Sequence, residues 1–267
     1  MRRATRGITV PAALALLAGT AWAQGAKPLR TCPPDSVVSA TVCMDTYKAS
    51  VWRVPSPTTV NRSLVAKIQQ GKATAADLAA GGATQLGIGR TDDYAPCTDG
   101  GQNCADDIYA VSLPGVPRSG NITWFQAAAA CENARKRLPS NAEWQAAVAG
   151  TPDPPPDNGT TDCNTDLDHP VVTGSRSSCK SSDGAFDMVG IAEEWVADWV
   201  PRSFRCGNWS GRLSPTGDAQ CLVDAVTTGE PGVLVRGAPG TFDGPLAVDA
   251  NFSPSSSVPF VGFRCAR

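Results

Sequence analysis

Ten cysteines and a single histidine set the chemistry this 267-residue chain could perform. One imidazole excludes three-histidine and mixed His–Cys metal catalysis, and zinc proteases and iron oxygenases mostly need more. A serine-type triad could draw only on His169. That residue precedes Pro170 in an irregular stretch with no partner base in view, so it reads as a surface histidine. Beside it, Asn164, Asp166 and Asp168 alternate with Thr165 and Leu167. Three hard oxygen side chains in one short loop are what Ca2+ takes as ligands. His169 stands where a turn glycine would be needed and Ser175 where a closing glutamate would be, so the loop is no EF-hand. A solvated acidic loop is the plainer alternative.

The cysteines point to a compartment. Arg2, Arg3 and Arg6 precede an apolar run from Ile8 to Ala18, and Ala21-Trp22-Ala23 offers a small-x-small cleavage site before Gln24. We expect residues 1–23 to be a signal peptide and the mature chain to be periplasmic or extracellular. All ten cysteines follow that site, and an even count in an exported chain reads as five disulfides. Cys32 and Cys43 are close enough in sequence to pair. Cys97 with Cys104 and Cys163 with Cys179 bracket short loops, and Cys206 with Cys221 brackets another. The formal charge of −2, with only 18% charged residues, argues against a nucleic-acid partner. No later stretch is apolar for long enough to span a membrane.

The elements that must hold these residues come next. Residues 24–39 read as a loose lead, and Val42–Trp52 as an early strand. Within 61–80, Ser63 could cap a helix that Gly71 stops, and Thr74 with Asp77 opens a second. Thr123 with Gln126 is a capping box for a helix running from Trp124 to about Lys136. Ser140 with Glu143 opens another, which Gly150 ends. Residues 151–184 form a long irregular loop, of the kind that is usually stapled, metal-held or functional. Ala185–Val200, Val233–Val235 and Phe260–Cys265 supply strands or turns. Trp124, Trp144, Trp195 and Trp199 suit a core, while Trp209 packs under its own loop.

Taken together, these segments resemble a known family. Ile122-Thr123-Trp124 with Ala128 and Cys131, then Lys136-Arg137-Leu138-Pro139-Ser140-Asn141-Ala142-Glu143-Trp144, is similar to one block of the formylglycine-generating enzyme (sulfatase-modifying factor) family. Phe186-Asp187-Met188-Val189-Gly190 followed by Glu194-Trp195-Val196-Ala197-Asp198-Trp199 resembles its "YDMAGNVWEWVADW" block. Val235-Arg236-Gly237 and Gly262-Phe263-Arg264-Cys265 resemble its "LRGGSW" and closing "GFRC". The blocks follow the family order over residues 40–267, which we take as one domain. The resemblance implies an α+β fold of the C-type-lectin-like type, with small twisted sheets, two main helices and many loops. It also implies a disulfide between Cys131 and Cys265.

The resemblance breaks at the chemistry. The family's enzymes oxidise a substrate cysteine with copper held by two cysteines after "RGGS", and Cu(I) needs such soft ligands. Here Gly237 is followed by Ala238-Pro239-Gly240, and Arg236 to Arg264 contains no cysteine. We therefore expect no copper and no formylglycine synthesis. A calcium site of the family, built partly on an Asn after a Cys, resembles Cys163-Asn164. A second would use the Asn of "GNVWEW", which is Ile191 here; Glu194 is then left to satisfy buried backbone or an arginine. The fold places residues 238–259 at the open face, with Phe242, Asp243, Asp249, Asn251 and Phe252 as candidate contacts. The expectation is a non-catalytic module binding a protein, peptide or glycan there. The segment could also be the diversified surface of a retroelement target. The alternative is an oxidoreductase of the family acting on protein cysteine.

Overall fold

The computed structural model describes residues 31–89, 94–104, 107–153, 157–166, 169–203, 205–207, 220–226, 228–238 and 244–267. A hairpin of β1 (Ser36–Ser39) and β2 (Val42–Asp45) leads into a three-stranded antiparallel sheet. In that sheet β3 (Ala49–Arg53) lies between β4 (Thr84–Leu86) and β5 (Ile108–Ser112). The larger sheet has six strands: β6 (Glu193–Val200), β7 (Arg205–Gly207), β8 (Gln220–Val223), β9 (Gly232–Arg236), β10 (Val248–Phe252) and β11 (Val261–Phe263). Their spatial order is β11-β6-β9-β10-β8-β7, with parallel pairs at β11/β6 and β10/β8.

The centre of this sheet is covered on both faces, which is why β9 reads as an unbroken apolar run. Val233 and Val235 pack with Trp195, Phe263 and the helix side chains Ala127 and Ala130. Leu234, one residue out of phase, packs on the other side with Trp144, Met188 and Val196. Alternation at period two thus builds two cores from one strand.

Four helices occur among the described residues, the main pair and the two expected within 61–80. They are α1 (Arg62–Gln69), α2 (Ala75–Ala80), α3 (Trp124–Asn133) and α4 (Asn141–Ala147). The boxes at Thr74/Asp77, Thr123/Gln126 and Ser140/Glu143 all form, with side chain and backbone donors satisfied reciprocally. Helix α1 starts one residue before Ser63. Its N-cap Asn61 makes no capping bond, because its amide donates to the carbonyls of Pro55 and Gly81 instead.

The helix expected to reach Lys136 ends at Asn133. Arg135 turns left-handed (φ 56°), Lys136 N–H reaches back to the Cys131 carbonyl, and Arg135 N–H to that of Glu132. This is a Schellman ending with arginine where glycine is usual. The early stop turns the Lys136 ammonium into the interior, 2.6 Å from Asp45 and in contact with Asp35. Arg135→Gly should stabilise the fold by up to about 1 kcal/mol, since the left-handed penalty of an L-residue is removed at an exposed site. Urea unfolding of the variant checks this; a loss of stability would contradict it.

The predicted single strand over Val42–Trp52 is likewise broken in two. At the interruption Lys48 enters the interior to reach Glu194. Trp199, expected in the core, is 42% exposed. The register of β6 on β9 shifts between Trp195 and Trp199, and the strand's last residues run beyond the core. Trp199 instead meets the ring edges of Trp124 and Phe125 at 4.9 and 5.7 Å.

The C-terminal residues tie these parts together. The Ala266 backbone bridges both Met44 and Arg137, and the Arg267 guanidinium lies 2.9 Å from the Asp35 carboxylate. Cys131 joins Cys265 across 134 residues. Cys32–Cys43, Cys97–Cys104 and Cys163–Cys179 are also bonded. Cys221 is disulfide-bonded, while the side chain of Cys206 lies outside the described residues, as does Trp209. Among the described residues no helix is long and apolar enough to cross a membrane.

Candidate functional site

The candidate residues fall in the 164–169 loop and on β10, and a buried charged hub forms around Glu194. In the loop expected to hold calcium, Asn164 is buried and its amide donates to the His169 carbonyl at 2.8 Å. Its own carbonyl accepts from Ile191 N–H at 2.7 Å. The Asp166 carboxylate lies 2.6 Å from Nδ1 of His169, which is exposed as expected. Asp168 lies outside the described residues. Among those described, no three His, Cys, Asp or Glu side chains gather to hold a metal ion.

Gly190 makes the docking of this loop possible. It sits at φ +80°, and a Cβ there would lie 2.2 Å from the Asn164 carbonyl oxygen. Gly190→Ala should therefore cost more than the roughly 1–2 kcal/mol of left-handed strain alone. Denaturant unfolding that showed the variant as stable as the parent would contradict this.

Glu194 is held by three side chains. Its carboxylate accepts from the Arg264 guanidinium at 2.7, 2.8 and 3.0 Å, from Lys48 Nζ at 2.6 Å and from Trp144 Nε1 at 2.7 Å. All three charged side chains are fully buried. Burial alone would raise the carboxyl, but Arg264 and Lys48 prevail and hold it at about 2. Lys48, whose desolvation outweighs its partner, falls to about 8. The arginine that Glu194 was expected to satisfy is Arg264; the lysine lay 146 residues away and gave no local signal.

Asp187 lies beside this hub, with one carboxylate oxygen accepting from Gly174 N–H at 2.7 Å. Burial raises it to about 6. The folded chain then holds a proton that the unfolded chain has already released, so stability falls as pH rises from about 4 to 6 and levels off above that. The drop amounts to about 3 kcal/mol. Glu194 acts oppositely and in a lower window, losing its contribution as pH falls from about 4.5 toward 2. Asp187→Asn should flatten the curve between pH 4 and 6 and raise stability at pH 7. A wild-type profile already flat across that window would contradict it.

Strand β10 carries the described candidate contacts Asp249, Asn251 and Phe252. Asp249 is half-buried and accepts from Asn251 N–H at 2.8 Å; burial raises its carboxyl. The Asn251 carbonyl accepts from Arg202 Nε at 2.8 Å. Phe252 turns inward, meeting Trp195 and Phe260 edge-on at 6.1 and 5.8 Å. Phe242 and Asp243 lie outside the described residues.

The segment's far end, Pro259, borders a cleft of about 300 Å³. Ile88, Arg118, Asn121, Val172 and Ile191 line it with Pro259. These residues come from five separate stretches of chain, and no spacing or motif connects them. The nearest sequence signal was Ile191 itself, standing where the family motif carries Asn. Its φ is 61°, a left-handed conformation that Asn adopts more readily than a β-branched residue.

No curated protein matches the chain by sequence. Among solved structures, it is similar to the Major Tropism Determinant I1 variant, at 18% identity and a TM-score of 0.46 over 90% of this chain and 54% of the other. The P3c variant gives 17%, 0.46, 92% and 55%. PvdO from Pseudomonas aeruginosa gives 17% and 0.42 over 86% and 82%. The chain thus spans about half the length of the Major Tropism Determinant chains it matches. Residues 106–267, more than half of the chain, match the model of the sulfatase-modifying factor enzyme 1-like domain. That match covers α3, α4, Glu194 with its partners Trp144 and Arg264, and the terminal strand, and the chain belongs to this family.

Proposed function

We propose that the chain is an exported binding module that takes a protein, peptide or glycan non-covalently at the face carrying residues 238–259. The observation that carries this reading is the absence of any cysteine between 222 and 264, where the family's chemistry requires a thiolate pair. The hub supports it: Glu194 is committed to Lys48, Arg264 and Trp144 and so serves the scaffold. The disulfides and the leader-like first 23 residues favour an oxidising compartment. On this scaffold the contacts are Phe242, Asp243, Asp249 and Asn251, with Phe252 bracing the strand from beneath. Asn164, Asp166 and Asp168 are the residues that calcium would occupy.

Glycan and peptide arrays probed with the secreted protein test the reading. A reproducible ligand whose affinity falls at least tenfold in Phe242→Ala/Asp243→Ala supports it, since aromatic anchors dominate such contacts. Ligands unaffected by that double change, or none on either array, would overturn it.

A further inference from the structure

The cleft beside Pro259 has the makings of a ligand site in its own right. Arg118 is half-buried in it, and desolvation lowers its guanidinium to about 10 with only the Tyr94 hydroxyl nearby to oppose this. Four other interior cations meet carboxylates: Lys48 with Glu194, Lys136 with Asp35 and Asp45, Arg176 with Asp157, and Arg264 with Glu194, while buried Arg236 donates to Asn141, Gln145 and the Pro245 carbonyl. For Arg118 no carboxylate lies within 4.0 Å among the described residues, and desolvating a guanidinium without a counter-charge is costly.

The surroundings hold this cation in place. Its stem runs over Gly262, where a Cβ would meet Cδ at 3.5 Å, and its head lies beside Gly120, where a Cβ would lie 2.4 Å from a guanidinium nitrogen. The Tyr94 hydroxyl donates to the Gly120 carbonyl at 2.8 Å, and Gly120 N–H donates to Gly87 at 2.9 Å. Asn121 holds three stretches of chain together. Its N–H donates to the Val258 carbonyl at 3.0 Å, its amide to Gly89, and its carbonyl accepts from Ser257 Oγ at 2.8 Å. Asn121 (φ 50°) and Ile191 (φ 61°) are both left-handed, and strain of this kind persists only where the surroundings overdetermine it. At the rim, Ile88 and Val172 are 55% and 37% exposed.

We infer that this cleft recognises a carboxylate carried on an apolar body, with Arg118 as the charged anchor and Ile88, Val172 and Ile191 as the apolar wall. A guanidinium offers two parallel N–H donors that match a carboxylate. A doubly charged phosphate would call for further cations, and a neutral glycan would leave Arg118 unmatched. The volume lies at the small end of ligand clefts. The site goes beyond the binding reading above and stands independently of it.

Titration calorimetry with 4-phenylbutyrate and 4-phenylbutanamide is the test, with the peptide Ala-Ala-Leu as free acid and as C-terminal amide in parallel. The acid of at least one pair should bind saturably and its amide at least tenfold more weakly. The pair that does so tells a free small acid from a peptide C-terminus. Arg118→Gln should weaken the acid at least tenfold and Arg118→Lys less. Because changing Arg118 could disturb the fold, Ile88→Asp serves as the second variant: it places a competing carboxylate at an exposed rim position and should abolish binding with an unchanged melting temperature. Acid and amide binding alike, no binding by either acid at millimolar concentration, or affinity unchanged in both Arg118→Gln and Ile88→Asp would each overturn the assignment.

Discussion

Replacing Glu194 with alanine should lower the unfolding free energy by about 3–5 kcal/mol, the range for breaking a buried ion pair from one side. The carboxylate is fully buried and answers two cations at once, Lys48 at 2.6 Å and Arg264 at 2.7 Å. Its loss leaves two like charges facing each other without water, and it orphans the Trp144 indole N–H, which donates to it at 2.7 Å. The effect should be asymmetric. Lys48→Met removes one cation but leaves Glu194 matched by the threefold contact with Arg264, so it should cost clearly less. Guanidinium unfolding of both variants, compared at constant slope, reads the difference. A Glu194→Ala cost below 1 kcal/mol, or no asymmetry, would show that the hub is not what the geometry indicates.

The second large effect belongs to the disulfide between Cys131 and Cys265. It spans 134 residues, against 11 for Cys32–Cys43. Loop-closure entropy grows with the logarithm of that span, giving about 5 kcal/mol for the long bridge and about 3 for the short one. The long bridge also fastens the terminal strand to α3 beside the hub, where Cys265 N–H donates to the Asp45 carboxylate at 3.1 Å. Cys131→Ala/Cys265→Ala should therefore be the most damaging of the paired cysteine removals. If unfolding midpoints fell further for Cys32→Ala/Cys43→Ala, the entropic ranking would be wrong.

What the sequence disclosed and what it hid follow from the range of the interactions. The boxes at Thr123/Gln126 and Ser140/Glu143 were readable because each is complete within four residues. The disulfides of short loops were readable for the same reason. Helix α3 stops early because Lys136 answers Asp35 and Asp45, 101 and 91 residues away. The Val42–Trp52 strand breaks because Lys48 answers Glu194 at a separation of 146. Neither partner appears in any local window. Trp199 misled because its spacing from Trp195 implies a shared face, and the register shift between them cancels that. The Arg118 cleft was invisible for a further reason: its lining comes from five stretches, and what marks Arg118 is that no carboxylate among the described residues answers it, which only the folded arrangement reveals.

The proposed binding function requires that this family member do no copper chemistry. The direct measurement is Cu(I) titration of the secreted protein under air, following oxygen consumption in the presence of a cysteine-containing sulfatase peptide. The prediction is no oxygen uptake above the metal-only background and no change in the mass of the peptide. Tight Cu(I) binding with turnover of the peptide cysteine would contradict it and make the chain an enzyme of its family.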